Sequence, residues 1–255
     1  MEIAMFANQL LYDALKTACP EIHASRLEAL LDVAEALQKS QNLTLSAMGK
    51  KLSGPTKIKH RIKKVDRLEG NHHLYNELSD LYNGLSSFVF KYISHVATVP
   101  IVIDVCFMKD DRVIQMLSAE VVTKGRSIPV YREIFKEGEL SGREELFLMR
   151  LKENIPSERE VVVIMDAGFS ENWFKCIESF GWHWLSRVRR GKLIKLDEDW
   201  ISIQDFIPKV EKKTKAYNKA FIMKTHNHPC RIVTTKLKPK GRKVKVSRGV
   251  TTNKI

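Results

Sequence analysis

Two aspartates close apolar runs in this chain: Asp104 in Thr-Val-Pro-Ile-Val-Ile-Asp and Asp166 in Val-Val-Val-Ile-Met-Asp-Ala-Gly-Phe. A short apolar run that ends in a carboxylate reads as a buried strand delivering its acid to the rim of a sheet. Two such acids make a candidate pair for divalent ions, hard cations that take oxygen ligands. Either acid alone reads more readily as the cap of a turn or helix. The chemistry therefore depends on whether the fold brings them together.

The elements that must position the pair can be read from periodicity. Residues 8–20 and 25–39 carry helical spacing, the second with Ser25 placed to cap it, and a short helix opening at Asn42 and Thr44 ends near Leu52 at Ser53-Gly54-Pro55. Thr56 is placed to cap a basic helix with an apolar stripe of Ile58, Ile62, Val65 and Leu68, and Leu74 to Phe90 reads as one more helix. The short helix, glycine turn and basic helix sketch a helix-turn-helix. Beyond Pro100 strands are predicted at Ile101–Phe107, Arg112–Val122 and Ser127–Tyr131. A helix at Arg143–Asn154, a strand at Val161–Met165, a helix at Glu171–Phe180 and a strand at Trp182–Val188 follow. Three strands, helix, strand, helix, strand is the opening order of a ribonuclease-H-like sheet, in which the first and fourth strands are parallel neighbours. The expected fold class is α/β of the α+β kind, with helices first, then an incomplete ribonuclease-H-like mixed sheet and a β-rich insertion. The expected domains are 1–95, 96–190 and 191–255.

At 255 residues and 44% apolar the chain can bury a core, which excludes a disordered polymer. The first residues lack a basic start followed by an apolar block, and charges interrupt every apolar segment before membrane-spanning length, so a cytoplasmic protein without a membrane partner is expected. Cys19, Cys106, Cys176 and Cys230 form no C-x-x-C pair and are expected to be reduced and mostly buried.

The net charge of +13 is concentrated in two segments. From Lys209 to Ile255 there are 15 Lys/Arg against Glu211 alone, and Lys50 to Arg67 carries eight against Asp66 alone. The first 208 residues balance at 28 basic against 29 acidic. Such a distribution suits a polyanion gripped at two places, since each cation near a phosphate releases counterions. A solvated tail explains the second segment as well.

Several segments together resemble bacterial insertion-sequence transposases of the DDE class, the cut-and-paste group with a Tyr-Arg-Glu-Lys signature, in the branch of the transposon Tn-ten enzyme. The resemblance is carried by Leu43-Thr44-Leu45-Ser46-Ala47-Met48-Gly49 with Lys59 to Asn71, by Gly125-Arg126-Ser127 with Tyr131, and above all by Asp166-Ala167-Gly168-Phe169, Trp173 and Gly181-Trp182-His183-Trp184-Leu185-Ser186-Arg187-Val188-Arg189. It implies that Asp104 and Asp166 are the first two acids of a catalytic triad holding two Mg²⁺ (or Mn²⁺) ions for phosphodiester cleavage and strand transfer. It implies DNA contacts by Lys57, Lys59, His60, Arg61, Lys63, Lys64, Arg67, Asn71, Arg126, Arg187 and Arg189, with Arg190 equally readable as surface charge. The implied partners are transposon ends, target DNA and a second copy in a synaptic complex, and the implied location is the nucleoid.

The third acid of that family is a Glu in Tyr-x-x-Arg-x-x-x-Glu-x-x-x-x-x-x-Lys, and no tyrosine here begins that spacing; Tyr217 is followed three positions on by Ala220. On the resemblance the chain looks truncated, with a final helix missing from the sheet. A DNA-binding remnant that occupies transposon ends without cutting is the alternative to an active transposase. An unrelated two-metal nuclease leaves the basic helix unexplained. His226-Asn-His228-Pro-Cys230 lacks standard zinc spacing and reads as a polar turn, as do Asp110-Asp111 and Asp197-Glu198-Asp199. Trp173, Trp182 and Trp184 read as packing residues beside the sheet.

Overall fold

The computed structural model describes residues 2–93, 96–108, 113–139, 142–189, 191–236, 243–245 and 251–253. Asp110, Asp111 and Arg190 lie outside the described residues. The fold is α+β, helical at first and then built on a mixed sheet. The chain divides into two compact units, residues 1–166 with 172–185, and residues 167–171 with 186–255.

In the first unit, α1 (Glu2–Ala18) and α2 (Ala24–Ser40) are followed by the short α3 (Leu45–Lys51) and by α4 (Ile58–Glu69). Thr44 caps α3, its hydroxyl accepting the Ala47 N–H at 3.3 Å. Thr56 does not cap α4: Lys57 holds that position and makes no side-chain capping bond. Val65 and Leu68 of α4 close a core with Val33 and Ala36 of α2 and with Met48 and Leu52. The helix predicted over Leu74–Phe90 is instead two, α5 (His72–Asn76) and α6 (Leu78–Tyr92). They meet at Glu77, whose carboxylate is held by the Arg26 guanidinium of α2. Arg26 lies 51 positions away in sequence, so local periodicity could not register the break.

The sheet of this unit runs in the order β3-β2-β1-β4-β5. Its strands are β1 (Thr98–Phe107), β2 (Ile114–Thr123), β3 (Arg126–Lys136), β4 (Glu160–Met165) and β5 (His183–Ser186), with α7 (Glu144–Glu153) before β4 and α8 (Glu171–Ser179) after it. β2 is antiparallel to both β1 and β3, and β4 is parallel to β1. Val99, Ile101 and Ile103 of β1 and Val161, Val163 and Met165 of β4 are buried on one face. Tyr131 of β3 lies on that face, in register with Ala119 and Ile103. Its ring meets Tyr82 of α6 at 5.2 Å and Phe147 of α7 at 5.2 Å, and Phe147 meets Trp173 of α8 at 6.0 Å, so all three helices cover this side. Pro100, Val102, Val162 and Ile164 alternate onto the opposite face and are only half-buried. Trp173 and Trp182 are buried and Trp184 stacks on Phe174 at 4.2 Å, as packing residues should.

The second unit contains a four-stranded sheet in the order β7-β6-β8-β9. Its strands are β6 (Leu193–Leu196), β7 (Asp199–Ser202), β8 (Lys215–Ile222) and β9 (His228–Thr234), with the short α9 (Ile203–Phe206) after β7. Ile194, Ile203, Phe206, Ala220, Ile222 and Ile232 are its buried apolar residues. The basic tail carries a paired ribbon of β10 (Lys243–Lys245) and β11 (Thr251–Asn253). Of the cysteines only Cys19 is fully buried; Cys106 is exposed, on the face of β1 that alternates away from the helices.

The helix pair is fixed by one close approach. A Cβ on Gly49 of α3 would lie 2.6 Å from Ile62 Cγ1 and 2.7 Å from Ile62 Cα. Gly49→Ala gains roughly 1 kcal/mol of helix propensity, but the clash is with backbone and forces the helices apart, an overpacking cost of about 1–3 kcal/mol. Urea unfolding of Gly49→Ala is expected to show net destabilisation, and a variant as stable as the parent would disprove the close crossing.

Candidate active site and nucleic-acid interface

The site begins with the register of the parallel pair. Ile103 is opposite Met165, the last residue of β4, so Asp104, still within β1, stands beside the end of β4, where Asp166 follows directly. Period-two alternation puts the buried residues of β1 on one face and Asp104 on the other, and Asp166 follows buried Met165 where β4 ends. Both are exposed. Asp104 Oδ1 accepts its neighbour's Val105 N–H at 2.9 Å, a bond that does not use Oδ2.

Across β2 and β3, the row containing Asp104 continues through Ser118 to Arg132. Arg132 donates from Nε to Ser118 Oγ at 3.0 Å and from Nη2 to Glu120 Oε1 at 2.9 Å. Glu120 also accepts from the hydroxyls of Ser118, at 2.9 Å, and Ser127. Hydrogen bonding by Ser127, with Arg132 and Ser118 behind it, holds the Glu120 carboxyl below its ordinary range against the opposing effect of burial. Glu120 is thus an acid on the face of Asp104 that already accepts from three donors. This network escaped the sequence reading because its members lie on separate strands and only the register unites them.

A pair of carboxylates offers the hard oxygen donors that Mg²⁺ takes. Among the described residues no group of three or more His, Cys, Asp or Glu side chains could hold a metal. Mg²⁺ commonly keeps several waters and binds through one or two carboxylates plus substrate phosphates. The pair therefore fits an ion completed by water and phosphate oxygens and does not fit a closed cage.

The basic residues divide by their engagement. In α4, Arg61 donates to the Leu52 carbonyl at the end of α3, and Lys64 pairs with Asp32 at 2.6 Å. Asn71 caps α5, accepting the N–H groups of His73 and Leu74 at 3.0 and 3.2 Å. Lys57, Lys59, His60, Lys63 and Arg67 are exposed, and their side chains make no hydrogen bond or ion pair within the described residues. Arg126 is exposed in the β2–β3 turn, near the level of Val99, five residues down β1 from Asp104 and so about 17 Å along the sheet, toward its opposite rim. Arg187 and Arg189 are exposed in the second unit, where the Arg189 guanidinium lies 3.2 Å from where a Cβ on Gly168 would stand.

His226 does lie in a turn, but His228 opens β9 and is buried. Their Nδ1 atoms stand 2.5 and 4.0 Å from the Glu171 carboxylate, an association across 55 positions that the local motif did not reveal.

No family model and no curated protein matches the sequence. Among solved structures, the chain is similar to one in the crystal structure of the Mos1 strand transfer complex, at a TM-score of 0.27 and 12% identity over 61% of this chain. The match spans 57% of that chain's length. No helix among the described residues is long and apolar enough to cross a membrane.

The Glu120 network has a pH signature. A carboxyl held below its ordinary range contributes stability above that range and loses it as pH falls through the folded-state value. Glu120→Gln is expected to melt below the parent at pH 7, and the gap should close as pH falls below about 4. A gap independent of pH in thermal melts would show that the charge of Glu120 contributes nothing.

Proposed function

We propose that this chain is a DNA transposase of the DDE class that binds transposon ends through the basic face of α4 and cuts and joins DNA strands at Asp104 and Asp166. The observation that supports it is the β1–β4 register, which makes two exposed carboxylates neighbours on one rim from positions 62 apart in sequence. Mg²⁺ or Mn²⁺, held by these two aspartates, would supply Lewis-acid stabilisation of charge on the phosphate oxygens.

The chain's own groups act by position and charge. Asp104, whose Oδ1 accepts the Val105 N–H, would offer Oδ2 to the ion from a bond that favours one rotamer. Lys57, Lys59, His60, Lys63 and Arg67 supply cations for the phosphate backbone, which sets register on the duplex. Exposed Arg187 and Arg189 would add phosphate contacts. In this reading residues 1–95 bind DNA, 96–190 carry the chemistry and 191–255 form a β-rich insertion with a basic tail. The protein works at the nucleoid and pairs with a second copy when two ends are joined.

A second reading has its own support. Among the described residues no third ligand joins the aspartate pair, and a site short of one carboxylate places the reacting oxygens less accurately. The chain would then occupy DNA ends without cutting them.

The two are separated by a nicking assay on end-containing duplex with Mg²⁺. On the first reading the parent nicks, and Asp104→Asn and Asp166→Asn each reduce the rate by about two orders of magnitude or more while DNA affinity is retained. On the second, the parent binds and does not nick. Nicking that survives both substitutions would remove the aspartate pair from the chemistry.

A further inference from the structure

We propose that the groove between the start of α2 and the outer face of α4 seats a backbone phosphate of bound DNA, so that α2 joins the helix pair in gripping the duplex. This rests on the DNA-binding reading and adds to it a site on an element that the basic-helix pattern did not implicate.

At 3.6 residues per turn, Lys59, Lys63, Arg67, His60 and Lys64 follow one another in that order around a continuous arc of about 140°. The arc lies away from buried Val65 and Leu68. Its edge toward α2 does not end in solvent. His60, Lys64 and Arg67 form one wall of a groove of about 400 Å³ whose other wall is Ser25 and Arg26. Two carboxylates reach these walls: Glu77 takes Arg26 through Nε, at 3.0 Å, and Nη2, and Asp32 takes Lys64 at 2.6 Å. Three fixed cations, Arg26, Lys64 and Arg67, against two anions leave the groove positive. His60 and Arg67 have no partner within the described residues, and neither bond of Arg26 uses Nη1.

The pull on an anion comes from these side chains and not from the helix end. The Ser25 N–H is taken by the His23 ring at 3.3 Å, and the Arg26 and Leu27 N–H groups by the His23 carbonyl at 2.8 and 3.3 Å. The groove is open and larger than one phosphate group, so a chain that continues past the phosphate on both sides can lie along it. A duplex lying on the arc meets Lys59 and Lys63 on one flank of α4 and the groove on the other, the arrangement needed to hold both sides of a helix against a phosphate backbone.

The test uses the full chain and fluorescence anisotropy with a labelled duplex over a salt series. Ser25→Glu separates fold from binding. A carboxylate in the first turn of α2 favours the helix, so the melting temperature should hold or rise, while the same charge opposes a phosphate in the groove. Loss of one contact lowers the slope of log K against log salt by about 0.9, close to an eightfold loss of affinity at 0.1 M relative to a 1 M reference. Ser25→Glu and the pair His60→Gln with Arg67→Gln are both expected to show at least that loss. Lys59→Gln with Lys63→Gln, outside the groove, reports DNA binding by the rest of the arc. Weaker binding in that last variant with parental affinity in the groove variants would overturn the phosphate seat and leave DNA binding standing. A parent that does not bind duplex would overturn both.

Discussion

The parallel pairing of β1 with β4 is the contact on which the other features of the site rest. A parallel pair cannot be closed by a hairpin; its strands need a crossover, here β2, β3 and α7. The chain must order that crossover before the pairing returns any burial, so the pairing has to be held strongly once made. It is held by alternation: Val99, Ile101 and Ile103 on one strand and Val161, Val163 and Met165 on the other are all at most 4% exposed, beneath the helices anchored through Tyr131, Phe147 and Trp173. A slip of one residue would turn that set outward and bring the intervening residues under the helices. The burial that fixes the register therefore also fixes the two acids side by side, and their proximity needs no attraction between like charges.

Much of this was legible in the sequence, and the reasons are local. Continuous apolar runs identify β1 and β4 as strands; the carboxylate that closes the second run marks the end of β4, whereas β1 continues three residues past Asp104. The faces were harder to read, because Pro100, Val102, Val162 and Ile164 are apolar too and mask the alternation that separates a buried face from a half-open one. Whatever depended on a partner distant in the chain stayed hidden. Glu77, where α5 and α6 meet, is held by Arg26, Arg61 turns inward to the end of α3, and Glu120 gathers Ser118 from its own strand and Ser127 and Arg132 from β3. In the second unit, β7 and α9 are too short and too polar to raise a periodic signal.

The helical region shows how a basic helix can serve both the core and a ligand. The missing side chain of Gly49 lets α3 and α4 touch at Ile62 and sets the rotation of α4 about its axis. With Val65 and Leu68 turned into the core, Arg61 is left over the end of α3, where its guanidinium satisfies a carbonyl that the helix itself cannot. The remaining cations have nowhere to go but outward. Counting Lys and Arg along this stretch thus overstates the cations available to a polyanion, and the direction of the helix decides which of them count.

On the proposed reading, the two halves of the chain are linked through the substrate. Two carboxylates leave most of a divalent ion's oxygen positions to water, and the phosphate oxygens of a bound strand are the natural replacements. A strand held by the cations of α4 raises the local concentration of those oxygens, and linkage then requires DNA to strengthen ion binding by the same factor as the ion strengthens DNA binding. An incomplete protein cage makes that coupling larger, because a site already saturated by its own acids would have little to gain from the phosphate. The sparse ligand set at Asp104 and Asp166 is for that reason compatible with a centre that forms only when DNA is present.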